Sequence, residues 1–160
     1  RAYVAGFEYL VPVNSRDQLR FAGEFTVINP TPTRDVRGAA PWYRHGAVEQ
    51  GHTNYGQYLG AAIGTGANAQ YAAVDWYRDS WVLGGYLERT VYDNDYFYTL
   101  PDRLYYDFNM EMAGGLRGEM ELPIGSFHTD LRLAFGYNRF WIESEDPVNM
   151  RVLVGYSYQW

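Results

Sequence analysis

The chain has 160 residues, with 13 Lys and Arg against 19 Asp and Glu, a formal net charge of −6, 47% hydrophobic residues and no Cys. That length suits one ordinary domain, and the acidic balance argues against a nucleic-acid partner held through phosphate contacts. The lack of Cys excludes disulfide scaffolds, thiolate metal centres and cysteine nucleophiles.

The 16 Tyr, 8 Phe and 5 Trp are far more apolar surface than a disordered chain leaves in water. No run of about 18 apolar residues offers a transmembrane helix. Arg1 is not an initiator Met and an alternating pattern is already under way at Tyr3, so a processed chain or a piece of a longer one is expected. Modest charge, abundant Tyr and Gly, and a mean hydropathy of −0.40 match a β-barrel that hides its polar residues inside.

In chain order, segment 2–11 sets Tyr3, Ala5, Phe7, Tyr9 and Val11 against Glu8, the period of two that marks a strand. In 18–28, Leu19, Phe21, Phe25 and Val27 oppose Arg20 and Glu24. The stretch 29–49, opening Asn29-Pro30-Thr31-Pro32-Thr33, reads as a connection. A strand is expected over 50–63, although Gly56, Gly60, Ala61 and Ala62 weaken both of its faces. Gly64-Thr65-Gly66-Ala67-Asn68 is a turn, lacking the Lys and the following helix of a phosphate loop. In 69–77, Val74 and Trp76 take one side and Tyr71, Asp75 and Tyr77 the other. In 80–92, Trp81, Leu83, Leu87 and Val91 oppose Glu88, with Arg89 intruding on the apolar parity near one end.

Segment 104–122 is the longest. Leu104, Tyr106, Phe108, Met110, Met112, Leu116, Met120 and Leu122 face away from Asp107, Asn109, Glu111, Arg117, Glu119 and Glu121, and no charge breaks the apolar parity. In 126–141, Phe127, Leu131, Leu133, Phe135 and Tyr137 oppose His128, Asp130, Arg132 and Asn138. The last segment, 149–160, sets Val152, Val154, Tyr156, Tyr158 and Trp160 against Arg151, Leu153, Gly155, Ser157 and Gln159, one apolar and one mostly polar face.

These charges recur at two rather than 3.6, so a helical reading fails. Parity alone does not say which face is inside: a soluble lipocalin-like barrel turns its apolar parity inward, an outer-membrane barrel turns it to lipid. Strand length favours lipid, because strands of soluble domains run about 5–6 residues and a tilted membrane strand needs about 9–11. The expectation is a single all-β domain over 1–160: an antiparallel outer-membrane β-barrel of about eight strands, or the C-terminal part of one, bathed in outer-membrane lipid, with no cofactor. Eight strands, an even number, would also allow this chain to close on its own. Glu88, Glu111, Arg117, Glu119, Glu121, Asp130, Arg132 and Arg151 are expected to face the lumen and to pair across strands.

The terminal Gly155, Tyr158 and Trp160 resemble the signal read by the barrel assembly machinery, which places that end in the periplasm. Alternation then makes 78–79 and 123–125 periplasmic turns, and 12–17, 64–68, 93–103 and 142–148 external loops. Residues 29–49 become a long periplasmic connection against the short-inside, long-outside rule. A miscounted strand would remove that anomaly.

Ser126, His128 and Asp130 share one strand face, but neighbours there lie about 7 Å apart, against the 2.6–3.2 Å (roughly) that a nucleophile and its base need. They read as polar lumen lining. Asp93, Asn94 and Asp95, with Glu143, Glu145 and Asp146, supply hard oxygens without EF-hand spacing and read as solvated acidic loops. His45 and His52 have no carboxylate pattern between them, and no metal site is expected. Tyr92, Tyr96, Phe97, Tyr98, Phe140 and Trp141 stand near the outer rim beside Asp93, Asn94 and Asp95, the mixture of aromatic faces and polar groups that holds a sugar. Aromatics at the same positions also serve as interfacial anchors.

Tyr43-Arg44-His45-Gly46, the run from Gly51-His52-Thr53-Asn54-Tyr55-Gly56 to Gly60 and Gly64, Val74-Asp75-Trp76-Tyr77, and Gly85-Tyr86-Leu87-Glu88-Arg89 followed by Asp93-Asn94-Asp95 together resemble the capsule assembly Wzi family. Leu116-Arg117-Gly118 and Tyr137-Asn138-Arg139 add to the likeness, which spans about residues 43 to 160. The resemblance implies an outer-membrane barrel of eighteen strands, this chain being its C-terminal part. It also implies a non-enzymatic, lectin-like role in attaching capsular or exopolysaccharide at the cell surface. Tyr92, Asp93, Asn94, Asp95, Tyr96, Tyr98 and Trp141 are then the candidate polysaccharide contacts. A porin or channel is the alternative function, and an outer-membrane hydrolase a more distant one.

Overall fold

A computed structural model gives the structure of the protein and describes residues 2–29, 43, 53–54, 57–92, 109–137 and 147–158. Among these, seven strands form one sheet: β1 (Tyr3–Pro12), β2 (Asp17–Val27), β5 (Asn68–Arg78), β6 (Trp81–Tyr92), β7 (Asn109–Leu122), β8 (Gly125–Tyr137) and β9 (Val148–Tyr158). Every neighbouring pair is antiparallel, in the order β1-β2-β5-β6-β7-β8-β9. No helix among the described residues is long and apolar enough to cross a membrane.

The described residues of 50–63 do not form the strand expected there. β2 pairs directly with β5, from Asp17↔Arg78 to Val27↔Asn68. The described residues of the intervening stretch contribute β3 (Thr53–Asn54) and β4 (Gln57–Tyr58), a separate two-stranded hairpin. The physical reason is the weakness already visible in its composition: with Gly and Ala on both parities, no face gains enough by burial to specify a register. Seven strands also put β1 and β9 parallel to each other, so this sheet cannot close on itself as an all-antiparallel barrel, as eight strands would allow.

Losing one strand reverses the direction of everything before it. The connections 13–16, 79–80 and 123–124 now leave one edge of the sheet, and 28–67, 93–108 and 138–147 leave the other. All the short connections share one edge and all the long ones the opposite edge, so the 12–17 segment joins the tight turns instead of the loops. The long connection after β2 ceases to be an anomaly.

Local chemistry explains the turns. Asn14 Oδ1 accepts from the backbone N–H groups of Arg16 and Asp17 at 2.9 and 3.0 Å, an Asx arrangement that reverses the chain. Asp79 adopts φ 42 in the two-residue turn before β6, a left-handed conformation that Asp tolerates. At Gly125, φ is +151 and a Cβ would collide with the Ser157 carbonyl, so the start of β8 requires glycine.

The two faces of the sheet differ sharply. On the apolar parity Leu87 is 70% exposed, Leu116 60%, Met150 72% and Val152 62%, whereas on the charged parity Asp75 is 1% exposed and Glu111 4%. Along the middle strands the charged face is the more enclosed one, while Glu8 on β1 and Arg151 on β9 stay exposed. Charged and amide side chains of the strands reach the apolar face at two places. One is Asn68, Gln70 and Arg89 at the long-loop edge. The other is Asp17 and Arg78 at the short-turn edge, where Arg78 Nε pairs with Asp17 at 3.0 Å and Trp76 Nε1 donates to Asp17 at 3.2 Å.

The direct pairing of β2 with β5 is testable because the chain has no native Cys. Ala22 and Ala73 are register partners, so the A22C/A73C double variant is expected to cross-link under mild oxidation, read as a thiol-sensitive gel shift. A strand inserted between them would hold the sulfurs about 10 Å apart and unlinked.

Candidate functional site

The charged face is built from rows of register partners. In one row Arg20, Asp75, Gly84, Arg117 and Asp130 lie side by side on five consecutive strands of the sheet. Asp75 is the hub: its carboxylate accepts from Arg20 Nη1 at 2.8 Å and from Arg117 Nε and Nη2 at 2.7 and 2.6 Å. Both oxygens are thereby satisfied by charge-assisted bonds, the Arg117 pair being bidentate. Arg20 continues to Glu8, with Nε–Oε1 at 2.9 Å and Nη2–Oε2 at 3.0 Å, and Arg117 Nη1 donates to the Tyr71 hydroxyl at 3.3 Å.

Asp75 and Arg117 sit two strands apart, roughly 10 Å between backbones, and they meet because the residue between them has no side chain. A Cβ on Gly84 would fall on Asp75 Oδ1 and lie 3.2 Å from Arg117 Nε. Gly115 works the same way for Tyr86, whose ring lies over it and whose hydroxyl donates to Asp130 Oδ2 at 3.2 Å. Glycines that weaken a strand elsewhere here open slots through which long side chains cross.

A second cluster centres on Arg132, which donates from Nε to Glu88 at 3.0 Å, again from Nη2 to Glu88, and from Nη2 to Glu111 at 2.6 Å. Arg151 Nη2 donates to Asp130 at 2.9 Å. Of the residues assigned to the lumen by sequence, Glu88, Glu111 and Arg132 are thus brought together, as are Asp130 and Arg151. Arg117 joins Asp75 instead of another member of that set, while Glu119 and Glu121 carry no ion pair among the described residues. Glu8, Arg20 and Asp75 were legible as polar-parity residues, but their convergence depends on register across strands.

Clefts open on this face, two of them beside the ion-pair clusters. One of about 550 Å³ is bordered by Arg20, Asp75, Arg117 and His128, and one of about 410 Å³ by Glu88, Arg117, Asp130 and Arg132. The face is a hydrophilic wall of fixed, mostly compensated charge. Ser126 hydrogen-bonds Ser157 across the strands at 2.6 Å, the His128 ring covers Gly155, and Asp130 is held by Arg151 and Tyr86, so these three side chains do not converge. Among the described residues no cluster of three or more His, Asp or Glu could hold a metal.

Tyr92 is the last residue of β6 and is half-buried. Asp93, Asn94, Asp95, Tyr96, Phe97, Tyr98, Phe140, Trp141, Glu143, Glu145, Asp146, His45, His52 and Trp160 lie outside the described residues. The strands that lead into 93–98 and 138–146, β6 and β8, run in the same direction, so both stretches depart from the long-loop edge. Of the expected assembly signal, Gly155 lies on the charged parity under His128 and Tyr158 on the apolar parity of β9. No family model, curated protein or solved structure matches the chain.

Replacing Asp75 leaves Arg117 facing Arg20 with no carboxylate of its own among the described residues, and Arg20 with Glu8 alone. Asp75→Ala is expected to cost about 3 kcal/mol or more, the scale for breaking an enclosed ion pair from one side, read as a lower urea midpoint in detergent. Gly84→Val should fall in the same range, since it blocks the same contact, whereas Glu8→Ala at the exposed end should leave the midpoint nearly unchanged.

Proposed function

We propose that this chain is a section of the wall of a bacterial outer-membrane β-barrel, charged face to the lumen and apolar face to lipid, and that the barrel organises capsular or exopolysaccharide at the cell surface without catalysing a reaction. The observation that carries the membrane part is the inverted exposure: large aliphatic and aromatic side chains stand outward across all seven strands, while on the charged parity Asp75 and Glu111 are buried and Arg20, Glu88, Arg117, Asp130 and Arg132 half-buried. A lipocalin-like barrel in water has the opposite arrangement. So large a continuous apolar face demands an apolar neighbour.

The dimensions support the same reading. On β5 the apolar face is bounded by Gln70 and Arg78, about 26 Å apart along the strand at ~3.3 Å per residue. With the usual tilt of ~40° that is roughly 20 Å of height, close to the ~25 Å apolar band of such barrels. Trp76 and Trp81, with ring centroids 5.2 Å apart edge to face, sit at the short-turn limit of this band, where amphipathic rings prefer the headgroup level. Short turns on one edge and long connections on the other match the periplasmic and external ends. Completing an all-antiparallel barrel takes an odd number of further strands beyond these seven.

The polysaccharide part rests on the Wzi-like motifs and on the aromatic and acidic composition of residues 92–98 and of Trp141, in the connections that follow β6 and β8. The clefts on the charged face favour a second reading, a porin or channel, because charged lumen walls tune ion passage.

Orientation is checked by single cysteines in intact cells. Leu59→Cys, in the long connection, should react with an impermeant maleimide, and Ser15→Cys, in the turn after β1, only after the outer membrane is opened. For the surface role, deletion of the full-length gene should leave polysaccharide synthesis unchanged while more of it is shed, with retention restored by the intact protein. Unchanged retention together with steady conductance in planar bilayers would replace that role with the channel.

A further inference from the structure

Two features of the apolar face adjoin each other. The first is Arg89, the residue of β6 that breaks the apolar parity. Its Nη1 donates to Asn68 Oδ1 at 3.0 Å and to Gln70 Oε1 at 2.8 Å, and Gln70 Nε2 donates to Asn68 Oδ1 at 3.4 Å. Neutral amides therefore brace the guanidinium without neutralising it. Arg20, Arg78, Arg117, Arg132 and Arg151 each meet a carboxylate; Arg89 meets none among the described residues. Its Nε and Nη2 donors remain unused there, in the planar geometry that suits a phosphate. An uncompensated cation at the limit of an apolar surface calls for an anion.

The second feature is a groove of about 670 Å³ on the same face, floored by Ala72, Gly85 and Gly114 and walled by Phe21, Leu87 and Leu116. Leu87 is the next outward residue of β6 after Arg89, so the groove starts about 7 Å from that position and runs toward the middle of the apolar band. Gly85 is not required by backbone strain or crowding: a Cβ there would make only ordinary contacts, 3.6 Å from Leu116 Cδ2. Its missing side chain leaves open apolar volume.

We infer that Arg89 and this groove together bind a phosphate-bearing lipid of the outer leaflet, with the phosphate on the guanidinium and an acyl chain in the groove. The inference rests on the outer-membrane reading, which puts the Arg89 end of the band at the external surface. A free phosphate ion would use the cation and ignore the groove.

The test uses the intact protein in dodecyl maltoside, titrated with diphosphoryl lipid A and with its dephosphorylated form, bound lipid being counted by native mass spectrometry. Wild type should retain the phosphorylated lipid, and dephosphorylation or Arg89→Gln should weaken retention about tenfold or more, the loss expected for charged hydrogen bonds. Arg89→Lys should recover part of it as a point charge. Gly85→Leu, which fills the groove and leaves Arg89 in place, should also weaken it, and millimolar inorganic phosphate should not displace the lipid. Equal retention by wild type and Arg89→Gln, indifference to dephosphorylation, or displacement by free phosphate overturns the inference. If Arg89→Gln does not fold, Gly85→Leu and the dephosphorylated lipid decide. A protein that fractionates with the outer membrane yet retains no lipid A overturns this inference alone; one absent from the outer membrane overturns the barrel reading with it.

Discussion

The carboxylate of Asp75, enclosed between the guanidinium groups of Arg20 and Arg117, is the interaction on which the rest of the sheet depends. A charge so far removed from water is tolerable only when paired and fully hydrogen-bonded. Satisfying it ties together β1, β2, β5, β6 and β7, through Glu8 at one end and the empty slot over Gly84 in the middle. Slipping any of these strands by one residue would carry its charges to the other face. The charged ladder therefore helps to specify register, a role that aliphatic packing has in a soluble sheet.

That inversion explains the composition. In most domains the apolar parity is the buried one, and the interior is packed Leu, Ile and Val. Here the small buried side chains Ala73, Ala113 and Ala134 sit on the charged parity, making room for Arg and Glu to cross strands. The bulky side chains are spent on the outside. Low mean hydropathy and an extensive apolar surface are compatible once the polar residues are concentrated on one enclosed wall.

Much of the fold was legible in the residues. Each of the long strands showed its alternation, because a strand with one polar and one apolar face cannot avoid displaying period two. The exception was instructive: residues 50–63 have strand length but no faces, and the described ones among them do not join the seven-stranded sheet. Counting that stretch as a strand reversed the assignment of everything before it, since in an antiparallel meander each added strand flips direction. The candidate lumen charges were legible as a class, by parity, but their partners were not. Nothing local in Asp75 marks it as a hub. Its distinction comes from lying in register with Arg20 and from the glycine that separates it from Arg117.

By itself, the sequence determined the class of fold, the face to which the residues of the long strands belong and the tight turns at 78–79 and 123–125, because these follow from periodicities and turn chemistry spanning a few residues. Only the tertiary structure decided that β2 pairs with β5, that all short connections share one edge, and that along the middle strands the charged parity is the more enclosed one. These are properties of contacts between residues distant in the chain, such as Arg20 with Asp75 or Tyr86 with Asp130, and a one-dimensional pattern reads identically whichever face turns inward.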